Sequence, residues 1–96
     1  MSIKTKFELA KARMVDMVDE SNCKMWDEFT KKDKWIGDVC NYIFFSKDKY
    51  FHVSISKYGV IGTFGKDLDT IDDNCFAYGN DLETTMDTVE KFIKGE

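Results

Sequence analysis

Between Trp35 and Phe64 the apolar residues change period. Val39, Ile43 and Phe45 alternate with Cys40, Tyr42 and Phe44, and Phe51, Val53 and Ile55 alternate with His52, Ser54 and Ser56. A period of two places successive side chains on opposite faces of an extended chain, so this stretch predicts strands and limits what the flanking segments can become. Lys47-Asp48-Lys49 and Lys57-Tyr58-Gly59 interrupt the pattern and read as turns; the second leads to a strand over Val60–Phe64 ended by Gly65. Opposed residues of an antiparallel pair share a face. Matching the apolar sets opposes Phe45 to Phe51, Ile43 to Val53 and Asn41 to Ile55 across a three-residue loop at 47–49.

The flanks carry the helical period. Ile3, Phe7, Ala10, Met14, Met17 and Val18 recur at mostly three- and four-residue steps, with Lys4, Lys6, Lys11, Arg13 and Asp16 turned outward. Ser21-Asn22-Cys23 interrupts this face; Met25, Trp26 and Phe29 resume it up to Lys31-Lys32-Asp33-Lys34, giving one bent helix or two consecutive ones. At the other end Asn80-Asp81-Leu82-Glu83 has the form of a capping box with Asn80 as the cap. Leu82, Met86, Val89 and Ile93 then mark one helical face, and Gly95 stands where a helix commonly stops. Residues 66–80 read as an acidic loop with a short edge strand at 75–78. The expected fold is one α+β domain over 1–96: an N-terminal helical region, a three- to four-stranded antiparallel meander and a C-terminal helix, in αβββα-like order.

Composition restricts function by elimination. Ninety-six residues with 43% hydrophobic content are one globular core without room for a second, and no apolar run approaches the ~20 residues of a membrane span. Met1–Glu8 lacks the apolar stretch of a signal peptide, so a cytoplasmic location is expected, the host cytoplasm if the source is a phage. Thirteen lysines against the single Arg13, no proline, and abundant Ile, Phe, Tyr, Asn and Asp fit an AT-rich genome of the kind many phages carry. Cys23, Cys40 and Cys75 are odd in number and widely spaced, so neither a disulfide framework nor a zinc site completed by His52 is expected, and no cofactor is implied.

Catalysis has to work with one histidine. His52-Val53-Ser54 has the H-x-S form of two-histidine phosphoesterases, but the second histidine is missing. Ser54 lies two residues along the same strand, ~7 Å away, which places it beyond the ~3 Å reach of a general base. Gly59, Gly62 and Gly65 match no phosphate-binding loop, and 67–74 fails the calcium-loop template because Ile71 and Asp72 stand at the wrong positions.

Charge is distributed unevenly. Residues 1–66 hold 12 basic and 9 acidic side chains, a balance of +3; residues 67–96 hold 2 and 9, a balance of −7. Asp67, Asp69, Asp72, Asp73, Asp81, Glu83, Asp87 and Glu90 follow one another with no base between them. The helical period puts Glu83, Asp87 and Glu90 on one face. The order αβββα is that of the double-stranded RNA-binding domain, which grips phosphate at the start of its last helix; acids there would repel phosphate, so direct nucleic-acid binding is not expected. A row of carboxylates suits the reverse role, occupying the basic groove of a nucleic-acid-handling protein. A second candidate surface is the far side of the hairpin, where Tyr42, Phe44, Tyr50 and His52 form an aromatic patch suited to a protein partner or a homodimer.

In size, acidity, composition and lack of a catalytic constellation the chain resembles the general style of small mobile-element inhibitors, such as anti-CRISPR and other counter-defence proteins, although it matches no motif of a named family. That resemblance implies a non-enzymatic protein-binding inhibitor, its partner a nuclease or other nucleic-acid-binding protein. The alternatives are an immunity protein of a toxin nuclease, or a small homodimeric enzyme or nucleotide-binding protein with its site around His52.

Overall fold

The computed structural model describes residues 2–95. The elements run α1 (Ile3–Glu20), β1 (Lys24–Asp33), β2 (Gly37–Ser46), β3 (Lys49–Ser56), β4 (Gly59–Gly65), β5 (Asn74–Gly79) and α2 (Leu82–Lys94). The five strands form one antiparallel sheet in sequence order. The fold is therefore the expected α+β arrangement with more strands than the sequence predicted.

The additional strand is β1, which corrects the reading of residues 24–33 as helix. Ser21 and Asn22 end α1, Asn22 turning the chain in the left-handed region (φ 61°), and the next ten residues pair with β2. A register shift between Met25 and Asp27 makes Trp26 an extra residue in the ladder. That bulge is why the alternation was hidden: it sets Met25, Trp26 and Phe29 at spacings that imitate a helical face.

The β2–β3 register also differs from the expected one. Phe44 pairs with Phe51, Tyr42 with Val53, Cys40 with Ile55 and Ile43 with His52, across a two-residue turn at Lys47-Asp48. Both parities of β2 are apolar, so alternation did not discriminate between registers. Turn length and polar matching did: two-residue loops suit the twist of a hairpin, and this register sets Asn41 against Ser54. Tyr42 and Phe44 consequently lie in the core, at 3% and 0% exposure, rather than on an open aromatic face with Tyr50 and His52.

Both helices pack on one side of the sheet. Ala10, Met14, Met17 and Val18 of α1, Met86 and Val89 of α2, and Tyr42, Phe44, Phe51, Val53, Ile55, Val60 and Ala77 of the sheet form one buried cluster. Phe76, the extra residue of a second bulge on β5, stacks on Phe92 of α2 with centroids 4.2 Å apart and meets Phe51 edge-on. The cap of α2 is Asp81 rather than Asn80; its carboxylate accepts from the Thr84 amide at 2.8 Å. Gly95, left-handed at φ 74°, ends the helix where the sequence placed its stop. No described helix is long and apolar enough to cross a membrane.

Candidate functional site

With both helices on one side, no helix covers the other face of the sheet, and among the described residues only the β4–β5 loop folds onto part of it, near Gly65 and Thr63. Alternation delivers to it Trp26, Phe29, Val39, Asn41, Ile43 and Phe45 from β1 and β2, and Tyr50, His52 and Ser54 from β3; β4 and β5 add Ile61, Thr63, Cys75 and Tyr78. Three zones follow one another along it.

At its centre lies a polar network. His52 Nδ1 is 2.9 Å from Asp72 Oδ1 and His52 Nε2 is 2.8 Å from Asn41 Oδ1. Ser54 Oγ donates to Asn41 Oδ1 at 2.8 Å and stands 3.1 Å from His52 Nε2; the Thr63 hydroxyl donates to Asp72 at 2.7 Å. This overturns the argument that Ser54 is out of reach of His52. The ~7 Å applies to the backbone, and two side chains on the same face lean together. Ser54, His52 and Asp72 thus have the order of a nucleophile, base and orienting carboxylate. Asn41 competes for the same protons. Asn41 Nδ2 donates to the Val39 carbonyl at 3.1 Å, which fixes Oδ1 toward the ring and the hydroxyl. Oδ1 and the ring Nε2 thus both lie within reach of the Ser54 hydroxyl, and a neutral ring, with a single N–H, donates to Asp72 or to Asn41 but not to both. Asp72 feels burial, which pushes its carboxyl up, but the hydrogen bonds from His52 and Thr63 outweigh it and hold the group below the usual carboxylate range.

Toward the β3–β4 turn the face opens into a groove of about 460 Å³, lined by Ile36, Val39, Tyr58, Ile61 and Tyr78 with Ser54 at its polar side. Tyr58, Ile61 and Tyr78 are 61%, 43% and 80% exposed. Toward the β2–β3 turn lie Trp26, Phe45 and Tyr50, with Phe45 stacked on Tyr50 and Trp26 set edge-on to both.

The structure does not gather the eight acidic candidates into one free row. Asp67 accepts from the Thr70 amide at 2.9 Å, Asp72 joins the His52 network and Asp81 caps α2. Asp87 and Glu90 both pair with Arg13 of α1, and Glu90 also meets Lys94 at 3.2 Å. Only Asp69, Asp73 and Glu83 have side chains without a partner among the described residues. Of the aromatic candidates, Tyr50 and His52 reach the open face and Tyr42 and Phe44 do not.

The cysteines stay apart. Cys23 is buried behind α1, Cys40 lies on the helix side of β2 and Cys75 is exposed on β5. Among the described residues no three His, Cys, Asp or Glu side chains stand where a metal ion could be held.

No protein-family model, curated protein or solved structure matches this chain. Sequence reasoning put Ser54 beside His52 but out of its reach, and missed Asn41 and Thr63 as members of one site. The available signal was polarity: Asn41, His52, Ser54 and Ser56 are polar residues at one parity of two largely apolar strands, which is how a polar patch on a sheet face reads.

Proposed function

We propose that the protein is a non-enzymatic inhibitor that acts by occupying the surface of a partner protein, with the groove-bearing half of the open sheet face as its contact. The observation that carries this reading is the apolar groove, open to solvent, beside a polar network whose members bond one another. Exposed Ile61, Tyr58 and Tyr78 supply area whose removal from water favours association. Asn41, His52, Ser54 and Thr63 are joined to one another and to Asp72 by hydrogen bonds, so a partner seated on the groove beside them meets few free polar groups on that side. Asp69, Asp73 and Glu83 keep charge available for steering toward a basic partner, in keeping with a nucleic-acid-handling target. Together with the AT-rich composition, this supports a counter-defence role of the anti-CRISPR kind in a host cytoplasm; neutralisation of a toxin nuclease uses the same surface logic.

Affinity capture from bacterial lysate, followed by titration of the purified partner, tests this. Ile61→Asp and Tyr78→Ala should each weaken binding roughly tenfold or more, as expected of central anchors, whereas Ser54→Ala should leave it within about twofold. The second reading, acyl transfer by Ser54, rests on the 3.1 Å and 2.9 Å contacts of His52. It takes precedence if Ser54→Ala abolishes the biological effect while Ile61→Asp preserves it.

A further inference from the structure

The opposite end of the molecule carries a feature that protein contact through the groove does not use. The start of β1, the β2–β3 turn and the end of β4 meet there, because an antiparallel meander returns alternate connections to the same end. They bring Lys24, Lys47, Lys49 and Lys66 to one depression of about 540 Å³, with Asp48 its single acid. None of these four lysines lies within 4 Å of a carboxylate among the described residues, although the chain as a whole has a net charge of −4. The Lys49 ammonium is turned over the rings of Phe64 and Phe92, 5.6 Å from each. Lys24, Lys47 and Lys66 remain as exposed cations held near one another, a grouping that repels itself unless an anion joins it. In the loop that follows Lys66, Asp67 is bound to Thr70 and Asp72 to His52 and Thr63; Asp69 and Asp73 have no partner among the described residues, and neither lines the depression.

The wall of this depression is aromatic. Phe45 and Tyr50 line it, stacked with centroids 5.6 Å apart, and Trp26 stands edge-on to Tyr50 at 6.3 Å with more than half its surface exposed. Cations track phosphates and exposed aromatic rings stack on bases; the two side by side are the elements of single-strand and nucleotide recognition.

We propose that this depression binds a nucleotide, free or within a single strand, with phosphate at Lys24, Lys47 and Lys66 and the base against the exposed ring of Trp26 at its edge, which Tyr50 meets edge-on. The site is separate from the groove and goes beyond the protein contact proposed there. It also replaces the expectation of no direct nucleic-acid contact, which was argued from the acids at the start of α2, at the other end of the sheet.

Trp26 is the proposed stacking ring, so its fluorescence reports binding once Trp35 is replaced in a Trp35→Phe background. Adenosine monophosphate and a short oligothymidylate are the two probes, each titrated at low and moderate salt. Saturable quenching by either is expected. Quenching by both at similar affinity assigns the free nucleotide, and quenching by the oligomer alone assigns the strand. For whichever binds, Lys47→Glu with Lys66→Glu should weaken affinity at least tenfold. With the strand, that pair should also flatten the slope of log affinity against log salt by about 1.4, at ~0.7 per lost phosphate contact. Tyr50→Ala should weaken binding roughly fivefold or more with little change in that slope. The lysines are exposed, so an unchanged melting curve verifies that the charge variants fold. Absence of quenching by both probes, or affinity unaffected by the double reversal, overturns the site and leaves the groove reading untouched, because that reading is tested by Ile61 and Tyr78.

Discussion

Asn41 is the residue on which the open face is organised. It is 5% exposed, and its single Oδ1 serves both His52 and Ser54 while its Nδ2 holds the Val39 carbonyl. Removing that acceptor leaves partly buried donors unanswered, which costs more than the hydrogen bonds themselves gain. Asn41→Ala should therefore destabilise the protein by about 1–3 kcal/mol, read as a lower urea midpoint at unchanged m-value. The carboxylates give a second expectation at this scale. Asp33 is held below the usual range by the backbone N–H groups of Ile36 and Trp35, Asp67 by Thr70 and Asp81 by Thr84. A folded-state value below the unfolded one, ~3.9, means stability that is present above that pH and lost as pH falls through the folded values. The melting temperature should accordingly be insensitive to these groups from neutrality down to about pH 5 and decline below about pH 4. Replacing all three by Asn should flatten the acid limb of the melting-temperature profile. Polar roles of this kind were only partly legible in the sequence: His52 was conspicuous as the lone histidine, but its partner Asp72 is 20 residues away and only the folded β4–β5 loop delivers it.

Elements whose pattern follows a single period were readable; those with an extra residue were not. The buried apolar residues of α1 and α2 fall where the three- and four-residue steps put them, at Ala10, Met14, Met17 and Val18 and at Met86 and Val89. β1 was lost to its bulge, and the β2–β3 register was lost because both faces of β2 are apolar. A close backbone approach makes one loop testable. At Gly65 an added Cβ would lie 2.0 Å from the Thr70 carbonyl oxygen, so the β4–β5 loop folds down onto a position that tolerates no side chain. Gly65→Ala must push residues 66–73 outward, costing about 1–3 kcal/mol as overpacking does. Because the same loop carries Asp72, the displacement should also release the His52 contact. Hydrogen exchange at the Asp73 amide, which donates to the Thr70 carbonyl at 3.0 Å, should speed up in the variant, while amides of β2 and β3 speed up by no more than the change in global stability allows.

At the scale of the whole molecule, the division into a mildly basic first part and an acidic last part is real in sequence but folded back on itself. Arg13, on the basic side of that division, reaches Asp87 and Glu90 and also donates to the Glu83 carbonyl at 3.2 Å; Lys94 closes onto Glu20 at 2.9 Å and Glu90. Two roles for acidity then separate. Asp87 and Glu90 tie α1 to α2, whereas Asp69, Asp73 and Glu83 contribute field. A neutralised carboxylate adds little to the potential a distant partner feels, while an unpaired one adds in full and is screened by salt over ~8–10 Å. Lysine substitution at Asp69, Asp73 and Glu83 should slow association with a basic partner several-fold at low salt, an effect that shrinks as ionic strength rises, with the melting temperature nearly unchanged. Lysine substitution at Asp87 and Glu90 should lower the melting temperature, because Arg13 is left beside like charge. Association rates measured across a salt series, paired with thermal melts of the same variants, distinguish the two groups. Equal slowing by both would mean that the partner reads the α1–α2 seam itself, and the acidic row expected from the sequence would then act as one surface despite its internal pairing.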